Sequence, residues 1–331
     1  MQISIFTFLF FLSCVLFLIY KKLSYKFQIV DKPNSLNVHS HKTPTGAGII
    51  FLIVFSLGMV LLNFTFKPNI NFFDLQRNFL IFLFALYFLC LMSFYDDLKD
   101  IHPIVRLIFQ VTTIFFCTAL FDLSSLNIPI KLLIIFVIYY WVYIINIINF
   151  TDGVDGFLAI NSLNFFLLNF FISYYFKDYN FIYYVCFLVI PILIAYLIFN
   201  KPIAKIFMGD SGSIFLGFLI GFVSIDRFIG GYYYVMISLL AYTFLDCTIT
   251  LVKKTLNKNY PWTRLFDYYF LKPLKNGGSH KKIFVANCAY NVIIAIIVFI
   301  QIIYNLKELY LLSLICSLTL LLYFNSFSKK P

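Results

Sequence analysis

Charged side chains are scarce in this chain. Asp, Glu, Lys and Arg make up 12% of its 331 residues, against roughly 25% in an ordinary soluble domain. The deficit excludes a water-soluble enzyme, a solvated coiled coil and a disordered segment, all of which depend on charge to stay in water. Cysteine chemistry is lacking too. The seven Cys are far apart, mostly inside apolar stretches, with no Cys-x-x-Cys and no Cys/His cluster, so neither a disulfide framework nor a zinc site is implied. There is no Gly-Lys-Ser/Thr of a phosphate loop and no His-Glu-x-x-His helix of a metalloprotease. Internal repeats of the kind found in transporters are absent.

What is present is apolar: 62% hydrophobic residues, 44 of them Phe. Eleven apolar runs lie near 3–20, 49–66, 79–95, 104–121, 128–148, 158–176, 181–199, 213–229, 232–252, 288–306 and 308–324. They are unbroken rather than alternating, which argues against a transmembrane β-barrel. At about 20 residues per span, they predict an all-α, polytopic integral membrane protein with about 10–11 transmembrane helices. Residues 1–331 form one membrane domain in this reading, with little left for anything outside the bilayer. The first run has no basic residue before it and Lys21-Lys22 directly after, the reverse of a cleavable signal peptide. It predicts a retained helix with the N-terminus outside.

That orientation sorts the charge. The segments then predicted to be cytoplasmic are 21–48, 96–103, 149–157, 200–212, 253–287 and the tail after 324. With Arg106 counted among them, they hold 19 of the 25 Lys and Arg residues. The net charge of +11 is therefore read as the excess that cytoplasmic loops carry, not as a nucleic-acid footprint. Nine of the 14 acidic residues fall on the same side: Asp31, Asp96, Asp97, Asp100, Asp152, Asp155, Asp210, Asp246 and Asp267. Carboxylates are costly near a bilayer, so such a gathering predicts one site built from helix ends at the cytoplasmic face.

Three clusters stand out. Tyr95-Asp96-Asp97-Leu98-Lys99-Asp100 places two carboxylates side by side, which need a cation or a proton between them unless they are simply solvated. Asn146-Ile-Ile-Asn149-Phe-Thr-Asp152-Gly153-Val-Asp155-Gly156 offers hard oxygen ligands on a backbone that turns sharply, or else a plain turn with Asx hydrogen bonds. Met208-Gly209-Asp210-Ser211-Gly212-Ser213 is a glycine-rich turn opening a helix, suited to phosphate and a bridging Mg²⁺, or else a helix cap. The basic loops 31–48 and 253–287 hold three of the four His, at 39, 41 and 280. Carboxylates and an amide for Mg²⁺, with basic residues for a polyanion, are the parts of phosphoryl transfer at a lipid boundary.

The ordered set of motifs resembles the polyprenyl-phosphate N-acetylhexosamine-1-phosphate transferases, which start bacterial surface polysaccharides and have the peptidoglycan translocase as a relative. The similarity runs from about Asp31 to His280, leaving the last helices, 288–324, outside it. It is carried by Asp31-x-Pro33-Asn34 with His39 and Pro44-Thr45-Gly46-Ala47-Gly48, by Asp96-Asp97, by Asn149-x-x-Asp152-Gly-x-Asp155-Gly, and by Phe199-Asn200-x-Pro202 leading into Met208-Gly209-Asp210-x-Gly212-Ser213. The resemblance implies an active site at the cytoplasmic face of a bacterial inner membrane. Asn149 and Asp210 would hold Mg²⁺, with Mn²⁺ as the alternative ion. Asp96 and Asp97 would be the catalytic acidic pair near the lipid phosphate. Asp152, Asp155, Asn200, Gly209, Ser213, His39 and His280 would bind substrate. The implied partners are undecaprenyl phosphate, a UDP-N-acetylhexosamine and the membrane lipid, with no nucleic acid; the oligomeric state stays open, a homodimer included.

The chain departs from the family in having Leu36 and Thr45 where an Arg is usual, and Phe266-Asp267-Tyr268-Tyr269 in place of a His-rich stretch. These departures bear on sugar choice more than on the reaction. Two other classes stay open at this point: a transporter or flippase for a lipid-linked glycan, and a membrane hydrolase of isoprenoid diphosphates.

Overall fold

The structure, a computed structural model, describes residues 2–31, 42–65, 76–99, 101–123, 128–260 and 267–327. In chain order the elements are α1 (Gln2–Lys26), β1 (Val30–Asp31), β2 (Thr43–Pro44), α2 (Gly48–Thr65), α3 (Gln76–Lys99), α4 (Pro103–Cys117) and α5 (Ile130–Phe150). They continue with α6 (Phe157–Tyr175), α7 (Phe181–Asn200), α8 (Gly209–Ile229), α9 (Tyr233–Leu256), the one-turn α10 (Lys272–Lys275), α11 (His280–Tyr304) and α12 (Tyr310–Ser326). Each apolar run of the sequence falls on one of these helices. Among the described residues, ten stretches are long and apolar enough to cross a membrane, and Gly48–Phe64 is a shorter eleventh. The chain is a multi-pass, all-α membrane protein. Its sheet among the described residues is a two-residue antiparallel ladder pairing Val30 with Pro44 and Asp31 with Thr43.

Helix boundaries follow local chemistry. Pro103 starts α4, where its missing N–H costs nothing, and His102 Nδ1 accepts the Ile104 N–H at 3.3 Å. The Asn180 side chain caps α7 by accepting the Tyr183 N–H at 3.3 Å. One boundary differs from the hydropathy reading by eight residues. α11 begins at His280, not near 288, because Ser279 caps the polar His-Lys-Lys turn, its side chain accepting from Lys282 N–H. Hydropathy registers lipid contact, and a helix that projects beyond the bilayer does not need it.

α7 and α8 are buried along most of their length and form the centre of the bundle. α8 packs against α5, α3 and α2, and α7 against α6 and α1. The outer helices turn large apolar side chains outward, among them Phe8, Phe11 and Val15 of α1 and Leu107, Ile108 and Phe115 of α4. Water would penalise that surface, whereas hydrocarbon does not.

One end of the bundle collects the connections that follow α1, α3, α5, α7 and α9, together with the end of α12. Phe207 N–H donates to the Pro44 carbonyl (2.7 Å) and Gly48 N–H to that of Met208 (2.8 Å). Lys272 Nζ donates to Asn325 Oδ1 (2.7 Å). This is the end at which the sequence concentrates both its acids and its bases.

Candidate active site

The first turn of α8 is set by backbone contacts that only glycine permits. A Cβ on Gly48 would lie 2.0 Å from the Gly212 nitrogen, so α2 and α8 begin in direct backbone contact. Gly209 has φ +69°, and a side chain there would press on the Asp97 carboxylate and the Gly46 backbone. This turn has no cap of its own, since Met208 supplies no side-chain acceptor. Asp97 supplies it from α3, accepting the N–H of Asp210 (2.8 Å) and of Ser211 (3.2 Å). A carboxylate at a helix N-terminus satisfies orphan donors and meets the positive end of the helix dipole.

Asp96 is satisfied differently. It is buried, with 7% of its surface exposed. It accepts the Ile101 N–H (2.5 Å) and one guanidinium nitrogen, Nη1, of Arg106 (2.5 Å). The same Nη1 donates to Asp210 Oδ2 at 2.7 Å. The adjacent acids of the sequence thus need no shared proton. One is held by helix amides and the other by an arginine from α4.

Arg106 and Asp210 lie on the wall of a cavity of about 220 Å³ formed by α3, α4, α5, α8 and α9. Its polar wall also carries Asn149, Asn146 and Gln110, and Asn146 Nδ2 donates to Gln110 Oε1 (2.7 Å). Its remaining wall is apolar, with Leu89, Met92, Leu107, Phe109, Ile214 and Leu251 among the lining residues. Arg106 and Gln110 were not singled out as site residues by sequence reasoning. Their signal was available: they are four apart on a helix whose other residues are apolar or Thr, so they share one face.

The remaining predicted residues form a frame beside this cavity. Asp155 Oδ2 accepts the Ala204 N–H (3.0 Å), and its Oδ1 lies 3.2 Å from His280 Nδ1, which joins the start of α11 to the 151–156 turn. Asn200 accepts the Gly156 N–H (2.9 Å) and donates to the Ile206 carbonyl (2.9 Å), clamping the 151–156 and 201–208 connections together. Ser213 Oγ donates back to the carbonyls of Gly209 and Asp210. Asp152 sits among Asp210, Asp97 and Asp155, and burial together with those charges pushes its carboxyl well above the ordinary carboxylate range. Asp246 is fully buried and accepts the N–H of Tyr269 (2.8 Å) and Phe270 (3.1 Å), which anchors the connection after α9. His39, His41 and Asp100 lie outside the described residues.

No group of three or more His, Cys, Asp and Glu among the described residues is arranged to enclose a metal ion. Asp210 and Asn149 nevertheless offer a carboxylate and an amide to one cavity. Two hard oxygen donors suit Mg²⁺, which takes one or two protein ligands and completes its shell with water and substrate phosphates. The donor set fits that ion and does not suit a soft metal.

The cavity therefore brings a guanidinium, a carboxylate and amides to one wall at one end of a multi-pass helix bundle. Residues 79–227 match the glycosyl transferase family 4 model. The chain is 30% identical over 212 residues to a phospho-N-acetylmuramoyl-pentapeptide-transferase of Enterococcus faecalis, covering 56% of this chain and 63% of that protein. It is 30% identical over 219 residues to the enzyme of the same name from Streptococcus pneumoniae, covering 60% and 65%. It is 26% identical over 256 residues to an undecaprenyl-phosphate alpha-N-acetylglucosaminyl 1-phosphate transferase of Thermotoga maritima, covering 77% and 74%. The central part of the chain is thus similar to glycosyl transferase family 4. Its match spans just under two thirds of the Enterococcus relative.

Proposed function

We propose that this protein transfers a sugar 1-phosphate, an N-acetylhexosamine 1-phosphate, from a UDP-sugar to undecaprenyl phosphate and releases UMP. The observation that carries the reading is the cavity in which Asp210, Asn149 and Arg106 share a polar wall with Asn146 and Gln110, while most of the remaining lining is apolar. A phosphate on a hydrocarbon chain matches that division, and the names of the relatives supply the two substrate classes. The Lys and Arg excess at this end supports a cytoplasmic orientation in a bacterial inner membrane, and the product would start a lipid-linked surface polysaccharide.

The chemistry asked of the chain is modest. An oxygen of the lipid phosphate attacks the phosphorus that bears the sugar, the bond to the UMP phosphate breaks, and UMP leaves with that bond's electron pair. The attacking monoester has a second pKa near about 6, so at neutral pH it is already mostly a dianion and hardly needs a base. Asp210 and Asn149 would hold Mg²⁺, which when bound neutralises charge building on the phosphates. Arg106 adds a fixed positive charge, Asp96 keeps that arginine in place, and Asp97 holds the turn that presents Asp210. With its oxygens engaged by helix amides, Asp97 acts by position rather than as a nucleophile, and no phospho-enzyme forms on it.

The test is incubation of purified protein with radiolabelled UDP-N-acetylhexosamines, with and without undecaprenyl phosphate. Label should enter the lipid extract, with one UMP released per labelled lipid and none without acceptor. Release of UMP or of sugar phosphate in the absence of lipid, with label never reaching the extract, would overturn the transferase reading in favour of a hydrolase.

A further inference from the structure

Arg106 is bound by one corner only. Its Nη1 serves both Asp96 and Asp210, whereas Nε and Nη2 have no hydrogen-bond acceptor among the described residues. A guanidinium carries five N–H donors in a planar fork, so most of its capacity is unspent and lies at the cavity wall. The two carboxylates it serves are unequal. Asp96 is buried, with a second bond from Ile101 N–H, while Asp210 is 27% exposed and lies on the cavity wall beside Asn149. The inner bond anchors the arginine, and the outer one stands where a cation would bind.

We propose that Arg106 is an exchangeable counter-ion of Asp210: it helps to neutralise that carboxylate until a divalent cation takes it over, and then stays on Asp96. The inference rests on the reading of Asp210 as a cation ligand. It carries a consequence for order. A bare ion must displace a charged partner from Asp210, so the site is a weak trap for the ion alone. An ion arriving with a diphosphate brings an anion for the guanidinium it displaces.

Binding of Mn²⁺ alone to the purified full-length protein in detergent, followed by electron paramagnetic resonance, tests this without turnover. Arg106→Gln should tighten Mn²⁺ binding by about fivefold or more, the size expected from losing one partly exposed competing charge pair. Arg106→Lys keeps the charge and should stay within about twofold of the wild type. Asp210→Asn should abolish the tight component in either background. Equal affinity in wild type and Arg106→Gln, with binding still lost in Asp210→Asn, would overturn the counter-ion role and leave the cation site standing. Equal tightening by Gln and by Lys would overturn it as well, since charge would not be the cause. Wild-type Mn²⁺ binding in Asp210→Asn would remove the ligand assignment and this inference with it. Matched elution profiles and melting temperatures certify that the variants are folded.

Discussion

The two ends of α8 each meet an arginine, and the two are built in opposite ways. At the C-terminal end Arg227 is 3% exposed and engaged at every nitrogen: Nε donates to Asn169 Oδ1 (3.3 Å), Nη2 to the Asn169 carbonyl (3.2 Å) and to Ser173, and Nη1 lies 3.9 Å from Asp178. Tyr232 adds a ring 5.7 Å from the guanidinium. At the N-terminal end Arg106 is about a third exposed and bound through one nitrogen to two acids. A fully satisfied buried charge resists change, because breaking any one bond leaves a polar group without a partner. A half-satisfied charge on a cavity wall can exchange partners at little cost. The far end of α8 is a lock, and the near end is where the proposed function puts the chemistry.

The largest way to break this contrast is at Asp210. Asp210→Asn removes the charge that faces the cavity while leaving the helix intact, and transfer should fall by about two orders of magnitude or more with normal membrane insertion. Near-wild-type turnover would put the chemistry elsewhere. Arg227→Met should do the reverse. It strands Asn169 and Ser173 and should lower unfolding stability in detergent by about 1–3 kcal/mol, with transfer per folded molecule unchanged. A loss of specific activity without a loss of stability would mean that the lock is part of the site.

Asp97→Ala falls between the two. It leaves the Asp210 and Ser211 amides without their acceptor, at about 1–2 kcal/mol, the usual cost of losing a helix cap, and it should lower transfer as well, because it loosens the turn that presents Asp210. Thermal denaturation and the transfer assay on one preparation would separate these effects, and a change in only one of them would contradict the dual role.

The smallest effect is a pH dependence. The Asp152 carboxyl titrates well above its unfolded value of about 3.9, so its protonated form favours the folded state. The contribution is complete below pH of about 4 and is lost as pH rises through the folded pKa. Compared with Asp152→Asn, the wild type should therefore lose melting temperature progressively as pH is raised, in buffer without divalent cations. Parallel profiles for the two proteins would place Asp152 in water.

Much of this was legible before any coordinates. Eleven apolar runs became eleven helices, since the preference for hydrocarbon is a local property of about 20 successive residues. The acids were legible as a group because carboxylates near a bilayer are costly and a chain keeps few of them. Their division of labour was not. Asp96 and Asp97 are neighbours with identical side chains, yet one holds an arginine and the other caps a helix that starts more than a hundred residues later. Asn200, carried by a motif as a substrate residue, has its amide committed to clamping two connections.

By itself, then, the sequence determined a bundle of about 10–11 helices, the end that bears the charge, the family resemblance and the pool of acids and amides from which a site could be made. Tertiary structure alone decided which of them face the cavity, that Arg106 joins them, and that Asp97 supplies a cap where α8 has none. Hydropathy and motif order are read along the chain. A hydrogen bond depends on where two helix ends meet, and that follows from the packing of all the helices together.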